Sequence, residues 1–354
     1  MTAPAAFSAR GGGRGGALVV PVFALAAAIL AMAGLLAATG LPVIPAFRAL
    51  WSGAFGSWYA VTSATLVRSV PLLLAGLAVA VAFRAGVFNV GAEGQLLMGA
   101  TAAAAVGATT APALGVLALP VALGAGVVAG AAWAGIAAWL RRRFGVLEVI
   151  STIMLNFVAL HVVGFLVRGP LQEPTRVYPQ TATLAPVAQL PRLLPATRLH
   201  WGLVLALLAA GGCWFVLRHT AAGFRLRAVG SSPDAARVAG GIDVARVTMR
   251  ALLASGALAG LAGAIEVTGV TFALYETLSP GYGYTAIAVA LIARLHPLGV
   301  IAAALLFGAL EAGAAAMQRD AGVPSVIVSV VEALIILAVL AAERTRHARG
   351  ASGT

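Results

Sequence analysis

The chain has 354 residues, of which 61% are hydrophobic and 10% charged, and its mean hydropathy is +0.99. A soluble globular domain carries about 25% charged residues, so this composition excludes one and specifies an integral membrane protein. The formal net charge of +12 comes from arginines at the ends of apolar stretches, not from one basic face with interleaved aromatics, which argues against nucleic acid as a partner.

Taken in order, the apolar stretches predict spans at 17–39, 59–83, 92–111, 113–140, 146–167, 201–217, 249–272, 284–295, 297–317 and 324–342. Most approach the ~20 residues that a helix needs to cross about 30 Å of hydrocarbon. The expected fold is therefore all-α, a polytopic inner-membrane helical bundle of about eight to ten transmembrane helices with broken or re-entrant segments. The short 284–295 element and the 92–111/113–140 pair are the candidates for re-entry. The first stretch follows a basic start and is longer than a signal-peptide core, so it reads as an uncleaved span. Residues 1–16 and 343–354 read as tails flanking a transmembrane domain over 17–342. Arg10 and Arg14, Arg141 to Arg143, the 218–250 segment, and Arg344, Arg346 and Arg349 all fall on the cytoplasmic side by the positive-inside rule, with both termini there. Cys213, the single cysteine, reads as a packing residue.

Two polar segments break the apolar run. Residues 169–199 are rich in proline and threonine and predict an irregular external cap. In the loop over 223–247, Ser232 is placed as N-cap, Pro233 at the first helical position and Asp234 in the first turn, with Gly240 and Gly241 ending a short helix. Such a helix is a handle for a partner protein to push, or else an ordinary connection.

The stretch FNVGAEGQ, residues 88–95, puts an amide, a carboxylate and a second amide into apolar surroundings. Gly86, Gly91, Gly94 and Gly99 favour a helix break, and Asn89 and Glu93 share one face if the segment is helical. A carboxylate at membrane depth is costly unless paired or facing a wet cavity, so Glu93 is a functional candidate. The alternative is that Asn89, Glu93 and Gln95 only satisfy broken backbone. Glu148, Glu266, Glu311 and Glu332 are further carboxylates in or near spans, and each reads as a local hydrogen-bond partner before a proton relay. His161, His200, His219, His296 and His347 are isolated, and HExxH, GxSxG and GxxxxGK[ST] are all missing, so neither a zinc protease, a serine hydrolase nor an ATP-hydrolysing loop is encoded. The chain reads as a transport subunit and not an enzyme, with no metal site of its own.

Four blocks, GVFNVGAEGQLLMGA (86–100), EVISTIMLNFVA (148–159), GFRLRAVGSSPDAARVAGGI (223–242) and SPGYGYTAIAVALIARLHPLG (279–299), resemble the permease subunits of bacterial ABC importers in the branched-chain amino acid/ribose superfamily. The likeness is to the nucleoside and simple-sugar branch; ribose-type permeases carry an aspartate-containing glycine-rich block where this chain has FNVGAEGQ. The resemblance implies an inner-membrane permease paired with a second, paralogous permease, two ATP-binding subunits and an external solute-binding lipoprotein. ATP and Mg then belong to the partner subunits, and this chain holds no cofactor. The resemblance also makes Ser232, Pro233, Asp234, Ala235, Ala236, Arg237, Ala239 and Gly240 the coupling helix seated in the ATPase. Asn89, Glu93, Gln95, Asn156, Tyr282 and Tyr284 are the expected substrate path or gate, because a nucleoside needs amides, a carboxylate or aromatic surface among apolar walls. Two other classes stay open on the residues alone: a proton-coupled carrier working through Glu266 or Glu311, and a membrane scaffold.

Overall fold

The computed structural model describes residues 29–324 together with 326, 327, 329, 330 and 333, with Pro112 and Ala239 described by backbone only. Most of the predicted spans 324–342 and 17–39 and both tails, with Arg10, Arg14, Glu332, Arg344, Arg346, His347 and Arg349, lie outside the described residues. The described chain is helical, without a named strand. Six helices are long and apolar enough to cross a membrane, which makes it a polytopic all-α membrane protein.

The chain divides into two compact units, one built on Ser69–Leu305 and the other on the described parts of Ser8–Arg68 and Leu306–Thr354. In chain order the elements are α1 (Ile29–Ala38), α2 (Val43–Phe55), α3 (Trp58–Arg84), α4 (Ala92–Thr109), α5 (Ala118–Phe144), α6 (Glu148–Val167), α7 (Gly202–His219), α8 (Ala221–Ser231), α9 (Pro233–Gly240), α10 (Val244–Thr271), α11 (Tyr282–Ile292) and α12 (Pro297–Ala321). Helix α2 answers to no predicted span; it starts after Pro42 and ends at Gly56. In its unit the Thr65 hydroxyl donates to the Ala54 carbonyl at 2.8 Å, and Gly313 lies so close to Leu50 that a Cβ there would press on its backbone.

The larger unit is centred on α4, α5 and α10, which pack closely against one another. Lipid tails give no hydrophobic drive for helix association, so close van der Waals contact between small residues has to supply it. Here Gly99 of α4, Gly126 and Gly130 of α5, and Gly256 and Gly260 of α10 bring the backbones together; a Cβ on Gly99 or Gly130 would overlap the backbone of α10. Around this seam, Leu97, Ala103, Ala159, Val163, Leu184 and Leu274 form a buried cluster that also takes in the 169–199 segment.

That segment is irregular, as its prolines require, with one 3-10 turn at Pro186–Ala188. It is tied to the last turn of α10 and the chain after it: Thr181 N–H donates to Leu274 O at 2.9 Å, Leu184 N–H to Phe272 O at 2.8 Å, and Leu190 N–H to Thr268 O at 2.9 Å. His200, at its end, is buried against Gly202 and Gly269, and burial followed by the Arg198 charge lowers its pKa to about 4. Its imidazole is neutral at neutral pH.

Helix α11 has 11 residues, about 16 Å at 1.5 Å per residue, and cannot cross the ~30 Å hydrocarbon core. Its C-terminal end closes through Arg294 and Leu295, whose φ angles are 50° and 56°, and Arg84 Nε donates to Leu295 O at 2.7 Å. The predicted 284–295 element is thus a partial span, locked to the end of α3.

Candidate functional site

The helix break foreseen from the glycines lies between Arg84, where α3 stops, and Ala92, where α4 starts. Every backbone group freed there needs a partner, because lipid offers none. Helix α6 supplies several of them, and Asn89 Oδ1 another by accepting from Gly91 N–H. Glu148, Thr152 and Asn156 stand four residues apart and so share one face. Phe88 N–H donates to Glu148 Oε1 at 3.4 Å, Val90 N–H to Thr152 Oγ1 at 3.3 Å, and Gly94 N–H to Asn156 Oδ1 at 2.8 Å. Asn156 Nδ2 returns a bond to Val90 O at 3.0 Å. A row of side chains thus stands in for part of the missing helical ladder. Glu148 is held in turn by Arg141 at 3.0 Å, an ion pair from the end of α5 to the start of α6.

Asn89 lies in the non-helical stretch, so it does not share a helix face with Glu93. Its amide pairs with that of Gln95, Nδ2 donating to Oε1 at 2.9 Å and Oδ1 accepting from Nε2 at 3.0 Å. Asn89 Nδ2 also donates to Ser255 Oγ at 2.8 Å, and Ser255 Oγ donates to Ala78 O at 2.6 Å. The chain connects α3, α4 and α10 through polar groups that are all buried. Buried amides with every group paired rigidify a structure, and each bond removed leaves a costly orphan.

Glu93 takes a different partner. It lies in the first turn of α4, and its Oε2 accepts from Gly283 N–H, in the first turn of α11, at 2.6 Å. Just before α11, Ser279 Oγ accepts from the N–H groups of Gly281 and Tyr282 at 3.1 Å each. Two helix N-termini, each carrying a partial positive charge and unpaired N–H groups, therefore converge on one carboxylate. Gly283 permits this: a Cβ there would overlap the Glu93 backbone. The glycines of GAEG and of PGYGY are thus two halves of one contact.

Asn156 Nδ2 reaches the Tyr284 hydroxyl at 3.4 Å, which brings the third expected residue of the site alongside. Tyr282 is buried, whereas the Tyr284 ring is 44% exposed and Phe88, in the broken stretch, 45%. All six expected residues thus fall in one region between α4, α6 and α11. Thr152, Ser255, Ser279 and Phe88 join them; the first could have been found from the polar face Glu148–Thr152–Asn156, whereas Ser255 and Ser279 carry no local signal.

The segment after Ser232 forms the expected short helix. Ser232 Oγ accepts from Ala235 N–H at 3.3 Å, Pro233 occupies the first position, and Gly241 closes the end at φ 56°. Asp234, Ala235 and Arg237 are exposed, and Val238 is 86% exposed. Ala236, expected among the contact residues, is instead buried, because its turn of the helix faces back into the chain.

Residues 61–340 match the family described as "Branched-chain amino acid transport system / permease component". The chain is 41% identical over 338 residues to the guanosine ABC transporter permease protein NupP of Bacillus subtilis, covering 94% of this chain and 96% of that one. It is 37% identical to the glucose ABC transporter permease protein TsgB13 of Haloferax volcanii, covering 91% and 87% of the two chains. It is 33% identical to the nucleoside ABC transporter permease protein NupB of Lactococcus lactis, covering 90% and 89%. No solved structure matches. A profile match across most of the chain, with relatives aligned nearly end to end, means that the chain belongs to the permease-component family of the branched-chain amino acid transport systems.

Proposed function

We propose that the chain forms the membrane path for nucleosides in an ATP-driven importer of the bacterial inner membrane. The carrying observation is the 41% identity, over 94% of the chain, to a guanosine ABC transporter permease. The chain acts there with a paralogous permease, two ATP-binding subunits and an external solute-binding protein, and ATP and Mg are bound on the ATPases. A second reading, import of a simple sugar such as glucose, draws on the 37% identity to a glucose permease.

The geometry supports a neutral solute. Half-helix N-termini at mid-membrane are ready-made sites for anionic groups. Here the N–H of Gly283 at the start of α11 is already taken by Glu93, and that of Gly94 at the start of α4 by Asn156. Ser255, bonded to Asn89, lies 11 residues into α10, about 16 Å along it and near the middle of a ~30 Å core. Asn89, Glu93, Gln95, Asn156 and Tyr282 then hold the gate region in shape, while the exposed rings of Tyr284 and Phe88 meet the solute by stacking on its base or ring face. Helix α9 couples this path to the ATPase: closure of the ATPase pair presses on it and opens the path outward, and hydrolysis resets it.

The test is uptake of labelled guanosine, adenosine, uridine, ribose and glucose by cells with and without the gene, in the presence of a protonophore and with cellular ATP maintained. Gene-dependent nucleoside uptake that survives the protonophore is the expected result. Glucose uptake alone would favour the second reading, and collapse with the proton gradient would favour a proton-coupled carrier.

A further inference from the structure

Helices α7, α8 and α10 enclose an open crevice of about 500 Å³ that plays no part in the site described above. Its walls are Ala209, Gly212 and Val216 of α7 and Ala251, Ala254 and Leu258 of α10, each set repeating at three- and four-residue steps and hence lying on one helix face. Small side chains leave the space between the helices. From Val247 to Leu258 the α10 wall is about 16 Å long, roughly one leaflet of the ~30 Å core. At the end nearer the α8 loop stand Arg225 and Arg250, both exposed. The aspartates of this region are engaged elsewhere, Asp243 with Arg246 and Asp234 with Arg237, and among the described residues neither Arg225 nor Arg250 makes an ion pair. The flanking Phe224 is exposed, as aromatics at a membrane interface are.

A one-leaflet apolar crevice with two unneutralised guanidinium groups at its mouth matches one molecule in both parts: an acyl chain below and a phosphate above. We propose that this crevice is a binding site for an anionic phospholipid, with its chain along α7 and α10 and its phosphate on Arg225 and Arg250.

Cys213, the sole cysteine, lines the crevice and reports on its occupancy. The full chain, purified with its partner subunits and delipidated in detergent, is treated with a small maleimide, and alkylation of Cys213 is followed by mass. Phosphatidylglycerol is expected to slow alkylation about 25-fold more than phosphatidylethanolamine, since each of the two basic residues near the headgroup contributes about a fivefold preference. Arg225→Gln with Arg250→Gln is expected to abolish the difference, and Arg225→Lys with Arg250→Lys to retain most of it. Equal protection by the two lipids, or loss in the lysine variant, overturns the proposal. So does protection without added lipid, which would assign the crevice to a partner subunit's helix, and so does protection by inorganic phosphate alone, which would make the arginines a free-anion site.

Discussion

Glu93 shows how a carboxyl group at membrane depth can serve the structure. Its Oε2 satisfies a buried N–H of α11 and sits at the positive end of two helices. Glu93→Ala leaves Gly283 N–H without an acceptor, at a cost of about 1–3 kcal/mol. Glu93→Gln keeps an oxygen there to accept from Gly283 N–H, so it should cost less. Thermal unfolding of the purified variants should rank wild type above Gln and Gln above Ala, with uptake following the same order. Equal melting of the two variants would show that the carboxylate does not hold α11. The sequence made this residue conspicuous, because a glutamate among glycines and alanines is costly in lipid. It did not reveal the partner, which lies 190 residues away and is a backbone N–H with no side-chain signature. Asn89 and Gln95 were visible for the same reason; both are buried and bonded to one another, and Asn89 also accepts from Gly91 N–H at 2.9 Å. Their partner Ser255 was not visible, since a serine in an apolar helix ordinarily bonds its own preceding carbonyl.

At the scale of elements, the helices whose ends carry chemistry were the legible ones. Ser232, Pro233 and Gly241 fixed α9 to within a residue, since caps act locally. Helix α2 was missed: at 13 residues it is shorter than a span, and a search for ~20-residue apolar runs passes over it. The exposed side of α9 was also hidden, because eight residues of which six are small or apolar allow more than one inward face. The structure turns Ala236 inward and leaves Val238 out. A large apolar side chain left exposed on a capped helix between two arginine-rich segments is suited to a partner's pocket. Val238→Asp should leave folding unchanged, as a fully solvated substitution does. If α9 seats in the ATPase, the same change should cost about 2 kcal/mol of subunit affinity, roughly 30-fold. Membrane abundance and solute-stimulated ATP hydrolysis of the reconstituted complex separate the two effects. Normal abundance with lost stimulation is the expected result, and normal stimulation would remove α9 from the coupling contact.

For the whole molecule, sidedness follows from parity. Arg141 to Arg143 end α5, and α6 alone separates them from the 169–199 segment; α7 alone separates that segment from α8 and α9. If α6 and α7 each cross once, the two arginine clusters share one side and 169–199 lies on the other. The 272–281 stretch, one further crossing along through α10, must then return to the side of 169–199, and its hydrogen bonds to Thr181 and Leu184 agree. The charge rule assigns the arginine side to the cytoplasm, where α9 can meet an ATPase. In a Cys213→Ala background, Val177→Cys and Val238→Cys place one thiol at an exposed position on each side, the parents being 69% and 86% exposed. A membrane-impermeant maleimide should label Val177→Cys in spheroplasts and Val238→Cys only in inside-out vesicles. Labelling of both from one face would mean that α7 does not cross. The reverse pattern would put α9 outside the cell, out of reach of any ATPase, and the coupling mechanism would fall with the topology even if the solute assignment survived.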